Sequence, residues 1–357
     1  MSIWGSNADN VWVTGANGTI LYSNDQSIAA PPCSSILYVN DDATGNNDGS
    51  SWTDAFTDLQ DALTSTCPGI NQIWVAEGTY VPGTNQADQF EMKDGVDIYG
   101  GFPGSPGQEG DFGVRDWVTN VSTLSGEIGT AGLGDNCTNV IIGATAVLDG
   151  FTIRDANADG MSVYFVSPTI ANCVFTENGS DGIDGGAGMQ VTNCAFTNNV
   201  ENGLNTYGDE SIYTNCTFFG NGNVGTAFSS GSNPTLVNCT YSGNNAGVSG
   251  FIGVYPIVKN CIFWGDGGSE FYIVGGSADI TNSIVQGGCP PGTIAYTCTN
   301  LLDVDPLFVD QANGDLQLQE CSPAIDAGDD SANTTSTDLD GNDRTFEAIP
   351  GAPTTDV

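Results

Sequence analysis

The sequence predicts an all-β parallel solenoid of about 22 residues per coil. Three observations carry this. Asn-Cys-x-aromatic returns five times, as "NCVF" (172–175), "NCAF" (193–196), "NCTF" (215–218), "NCTY" (238–241) and "NCIF" (260–263), and Asn282-Ser283 continues the series. Apolar residues stand three before each Cys (Ile170, Val191, Tyr213, Leu236, Val258 and, before Ser283, Ile280), at the Cys, and two after it, with polar residues between. That is strand alternation broken once, at the Asn, so each Asn marks a tight bend between two short strands. Finally, the 357 residues include 49 Gly and 15 Pro, a supply of turns suited to many short strands.

Taken in order, residues 1–31 form an arm and linker. "SIWG", "VWVTG" and "TILYS" alternate as a β-hairpin arm resembling one isolated propeller blade, and Pro31-Pro32 holds the linker extended. Residues 32–300 form the capped β-helix. "SSWTDAFTDLQDALTS" (50–65) predicts a capping helix with Trp52, Phe56, Leu59 and Leu63 on one face, laid over the first coil. Irregular early coils follow at 73–81, 96–102, 122–128 and 139–153, so the solenoid starts near residue 70. In the last of these Asp149-Gly150 takes the place of Asn-Cys.

From there the repeats predict two polar columns. Stacked coils lie about 4.8 Å apart, so Asn172, Asn193, Asn215, Asn238, Asn260 and Asn282 can each bond the rung above and the rung below. A second column stands five residues after each Cys: Asn178, Asn199, Asn221, Asn244 and Asp266. The aromatic column fills the core, with the Cys column as small apolar filler of free thiols beside it. Residues 301–357 are closing strands and an acidic tail, with 306–318 as the rear closure.

Composition restricts partners. Forty-three acidic residues, 5 basic ones and no His give a formal charge of −38. Nucleic acid and anionic membrane surfaces are excluded as partners, because both need Lys and Arg. No apolar run reaches the roughly 18 residues a spanning helix needs, so no membrane insertion is expected. "MSIWGSNADNVWV" lacks the basic and apolar regions of a signal peptide, which reads as a mature or trimmed chain. Cys33–Cys67 and Cys289–Cys298 are the disulfide candidates, and they suit an oxidising compartment.

Site chemistry is sparse. Absence of His removes imidazole acid–base chemistry and His-ligated metals. Of five cations, Arg154 is the one catalytic candidate, as a base beside Asp155 and Asp159 with Asp181 and Asp184 on the adjoining coil. An Arg neutralising acidic neighbours is the structural alternative. Calcium is the one cofactor suggested. Asn40, Asp41, Asp42 and Asp48 in "NDDATGNNDG", and Asp338, Asp340 and Asn342 in "DLDGND", bunch oxygens around Gly turns as hard cations require.

At these residues the chain resembles right-handed parallel β-helix proteins of the pectate-lyase-like superfamily. Within them it is similar to bacterial surface proteins with polymorphic-outer-membrane-protein-type repeats and a choice-of-anchor Q domain. The matching stretches are 38–63, "IWVAEGTY" (73–80), "KDGVDIYGGF" (93–102), "RDW" (115–117), "LDGFTI" (148–153), the Asn-Cys-x-Phe series, "DPLFVDQANGDLQL" (305–318), "SPAIDAGD" (322–329) and "DLDGNDRT" (338–345). The resemblance implies right-handedness, export, and a continuation past Val357 into a further strand and an anchor. The expected function is a non-catalytic extracellular or cell-surface structural and adhesion module contacting glycans or copies of itself. A filament subunit joined through the N-terminal arm, or a polysaccharide lyase or glycan-binding protein, are the alternatives.

Overall fold

The computed structural model describes residues 34–65, 69–208, 210–229, 231–291, 295–333, 335 and 337–339, and the strands at 2–7, 10–14 and 20–24 as backbone. Three parallel sheets run the length of a β-helix. Wall I has 11 strands, from Ile36–Val39 to Ala295–Thr299. Wall II has 9, from Gly78–Tyr80 to Ile284–Val285, and wall III has 8, from Phe90–Glu91 to Phe271–Val274. One coil visits the walls in turn, as in Thr169–Ala171, Val174–Thr176 and Ile183–Gly185. Register is in phase along the repeats: Ile170 stands beside Val191, which stands beside Tyr213.

The core follows the predicted columns. Ile170, Val191, Tyr213, Leu236, Val258 and Ile280 are fully buried, as are Phe175, Phe196, Phe218, Tyr241 and Phe263. Those five rings stack with centroids 5.1, 4.9, 4.5 and 4.5 Å apart and planes within 13° of parallel. Such stacking demands a column of Gly. A Cβ at Gly182, Gly203, Gly225 or Gly247 would come within 2.4–3.0 Å of the ring on the next coil. Cys173, Cys194, Cys216, Cys239 and Cys261 are buried free thiols, as expected.

The outer Asn residues make the bend. Asn172, Asn193, Asn215, Asn238, Asn260 and Asn282 all have φ between 46° and 55°, the left-handed region that Asn tolerates better than most side chains. A second left-handed column follows four residues after the Cys position: Glu177, Asn198, Gly220, Gly243, Gly265 and Gly287.

Four expectations need correction. The solenoid begins at Ile36–Val39, not near residue 70, because this strand pairs in parallel with Gln72–Ala76. A long excursion between the two strands hides the period. The cap helix is only Leu59–Thr64. Asp58 starts it by accepting from the Gln60 N–H, and Leu59, Ala62 and Leu63 seal the core. Trp52 instead joins an aromatic cluster outside wall I, with Tyr38, Trp74 and Phe102, and Phe56 bridges to Val39. Residues 306–318 do not close the rear end. The antiparallel pair Phe308–Asp310 and Asp315–Leu318 lies on the outer face of wall II. There Ile262 and Ile284 replace smaller outward residues and need the cover. The rear of the core meets Tyr296 and Leu301 instead. The N-terminal segment holds three antiparallel strands, Ser2–Asn7, Asn10–Thr14 and Ile20–Asn24, one more than a hairpin.

Cys289–Cys298 is a disulfide, as expected. Cys33 and Cys67 lie outside the described residues, as do Asp340 and Asn342.

Candidate functional site

The two asparagine columns differ in what they do. Inner residues Asn178, Asn199, Asn221 and Asn244 are at most 2% exposed. Each donates from Nδ2 to the next rung's Oδ1 at 2.9–3.0 Å, and that Oδ1 also accepts the backbone N–H of the rung before it. The run ends on Asp266. The outer column runs from Asp149 through Asn172 and Asn193 to Asn215, at 2.7, 3.2 and 2.7 Å, and resumes where Asn300 donates to Asn282 at 2.9 Å. In between, the C-terminal tail takes over, contrary to the expected unbroken ladder. Asn238 donates to Asn333 Oδ1, while Asn260 accepts the Asp329 N–H and donates to the Asp329 carbonyl. A chain segment laid over the rungs offers backbone partners as good as a neighbouring Asn.

Arg154 and the acidic group do not form one site. Its Nε contacts Asp155 Oδ2 at 2.7 Å and its Nη2 contacts Glu177 Oε2 at 2.8 Å. The Asp155 hydrogen bond, with Asp155 and Glu177 charge, raises its pKa and holds it as a cation paired with both carboxylates. Asp159, Asp181 and Asp184 are engaged elsewhere. Asp159 accepts from the Asp181 N–H, and Asp181 accepts from the Asn202 N–H and Nδ2. Asn202 continues to Asn223. This third polar row went unread because its spacing shifts by one residue at Asn223. Burial pushes Asp181 up to about 6.

Two of the calcium candidates accept local backbone N–H groups. Asn40 Oδ1 accepts the Asp42 N–H and Asp48 Oδ1 accepts the Ser50 N–H. Asp41 lies against Gly78, with its pKa raised by burial and by Asp42. Among the described residues no three carboxylates or thiols gather into a cation cage. Arg115 also has a structural place: it pairs with Asp149 at the head of the outer column, among Tyr99, Phe112 and Trp117.

The outer face of wall III is the candidate site. Its outward register line reads Ser162, Asp184, Asn205, Ala227, Ser249, Tyr272. Asp184 Oδ1 accepts from Asn205 Nδ2 at 2.9 Å and from the Tyr207 hydroxyl at 2.8 Å. Burial, then Asp184, pushes the Tyr207 hydroxyl up to about 12, so it stays a donor. Further along, Phe251 and Tyr272 meet edge-on with centroids 6.1 Å apart. They border an open groove of about 350 Å³ with Asn223, Asn245, Ser249 and Ser269. Tyr164, Tyr207, Phe251 and Tyr272 are each more than half exposed. At the wall's edge Phe165 and Ile252 are exposed and left-handed, with φ of 57° and 54°. The neighbouring coils use Gly186, Gly208 and Gly275 there. A β-branched residue in this conformation is strained, and strain of this kind collects at functional sites.

Comparison with known proteins agrees with the geometry. Residues 136–288 match a family model. Its description is a right-handed beta helix region. The fold is therefore a right-handed parallel β-helix. The pectate lyase Pel9A aligns over 87% of this chain and 96% of its own, at 15% identity and a TM-score of 0.56. The mannuronan C-5 epimerase AlgE4 A-module of Azotobacter vinelandii aligns over 74% of this chain and 96% of its own, at 13% identity and a TM-score of 0.38. The periplasmic alginate epimerase AlgG aligns over 65% and 60%, at 10% identity and a TM-score of 0.39. At such identities the likeness is one of fold. No curated protein matches the chain.

Proposed function

We propose that this protein is a non-catalytic extracellular or cell-surface β-helix scaffold whose third wall binds a neutral glycan. The observation that carries the reading is the row of exposed rings on that wall, interleaved with Asp184, Asn205 and Ser249. Sugar rings present apolar faces and a rim of hydroxyls. Aromatic faces with flanking carboxamides and carboxylates suit both. Glycan neutrality follows from charge: at −38 the chain repels uronate polymers as it repels nucleic acid. A lyase reading lacks support, since Arg154 is held as a cation and Arg115 is paired with Asp149.

Affinity electrophoresis through gels containing neutral polysaccharides tests this. Retardation is expected in at least one neutral glycan and not in pectin or alginate. Phe251→Ala and Tyr272→Ala should each weaken it about tenfold, the effect of losing roughly 1.4 kcal/mol of ring contact. Retardation unchanged by both substitutions, or release of unsaturated products from uronate polymers that is lost in Arg154→Ala, overturns the reading.

A further inference from the structure

The last coil carrying the aromatic and inner-asparagine columns breaks both the Asn and the Gly patterns at once. Asp266 stands where Asn178, Asn199, Asn221 and Asn244 stand before it, and Gly288 follows on the next coil with no side chain to continue the ladder. Glu270 stands in the column of Gly182, Gly203, Gly225 and Gly247, since its carbonyl accepts the Val248 N–H beside Gly247. A side chain fits there because the next coil offers Val285 in place of an aromatic ring. Two inward carboxyl groups thus meet at the end of the core. Glu270 is 6% exposed. As carboxylates, Glu270 Oε2 and Asp266 Oδ2 are buried acceptors without a donor. Asp266 Oδ2 lies 3.1 Å from where a Cβ on Gly247 would stand, in the column that Glu270 continues on the next coil.

We propose that one proton shared between Glu270 and Asp266 latches this coil and the segment 266–272 that forms one edge of the wall III groove. A single proton gives each stranded oxygen its partner and removes one of two adjacent buried charges. Asp266 Oδ1 is left to accept the Asn244 N–H at 2.7 Å and Nδ2 at 3.0 Å, which ends the inner ladder. The facing residues Asn244, Asn245, Gly247 and Phe263 carry no charge, and Asp303 on the following coil is taken by the Gly287 N–H. Burial first, then the Asp266 charge, pushes the Glu270 carboxyl up to about 9. A carboxyl raised on folding contributes stability that is full below the ordinary value of 4.5 and lost as pH rises through about 9. Alkaline pH therefore opens the latch. Tyr272 and Ser269 of the groove ride on the released segment.

Hydrogen-exchange protection of the Asn244 and Val248 amides tests the latch. In the wild type, protection should fall at least tenfold between about pH 6 and about pH 10, beyond the change at the Asn199 amide. Glu270→Gln keeps a donor that does not titrate and should hold protection across that range. Asp266→Asn removes the neighbouring charge and leaves the buried Glu270 to titrate, so its loss of protection should move to lower pH. The wild-type alkaline loss unchanged in Glu270→Gln overturns the proposal. So does the absence, in the wild type near pH 7, of an infrared band from a buried protonated carboxyl that Glu270→Gln removes. The consequence for binding rests on the glycan reading above: wild-type retardation should weaken over the same interval and that of Glu270→Gln should not. If no glycan binds at any pH while the exchange pattern holds, the glycan reading fails and the latch stands.

Discussion

The two asparagine columns share a residue type, a period and a direction, yet different physics selects each. The inner column is chosen for its amide: every Asn there is buried and bonded along the stack. The outer column is chosen for its backbone: every Asn there is left-handed, and the rung-to-rung bonds lapse at Asn238 and Asn260 without loss of the bend. The expected match of Asp149-Gly150 to Asn-Cys is one residue out: Asp149 stands beside Ala171, so Gly150 takes the Asn172 position and supplies the corner with a φ of 84°. A repeated residue is therefore weak evidence for a repeated contact.

Substitutions can break this comparison. The largest effect belongs to Asn221→Leu. It strands the Asn199 N–H and the Phe196 carbonyl inside the core, leaves Asn199 Nδ2 only the Phe175 carbonyl, and leaves Asn244 Oδ1 only the backbone N–H of residue 221. With each stranded group costing about 1–3 kcal/mol, a loss of more than about 3 kcal/mol is expected in urea melts. Asn215→Leu should cost less, about 1–3 kcal/mol, because it loses the 2.7 Å bond to Asn193 and forces Leu into a left-handed turn. Equal losses at Asn215 and Asn221 would erase the distinction between the columns. Asn193→Gly sharpens it from the other side. It removes two rung bonds, to Asn172 and from Asn215, but supplies a residue at ease with a φ of 53°, so the loss of stability in urea melts should be about 1 kcal/mol and below that of Asn215→Leu. A drop as large as that of Asn221→Leu would show that the outer rungs, not the turn, hold the corner.

The wall III site was harder to read from sequence than the columns. Its aromatic residues lie in loops and strand ends of unequal length, so Tyr207, Phe251 and Tyr272 occupy different offsets from their Cys positions. The expected acidic group around Arg154 is divided: Arg154 ends wall II paired with Asp155 and Glu177, while Asp159 and Asp181 belong to a separate polar row.

What the sequence determined by itself was the period, the corner, the ring column and both polar columns. These are set by contacts between identical positions one coil apart or, at the outer corner, by one residue's own backbone, so one repeat contains the rule for all. Tertiary structure alone decided everything that interrupts the repeat. The strand Ile36–Val39 joins wall I across an insertion, the 308–318 pair covers Ile262 and Ile284, and the tail captures Asn238 and Asn260. Each of these joins residues tens of positions apart with no shared spacing. Their pairing is decided by which surfaces remain uncovered once the coils have stacked.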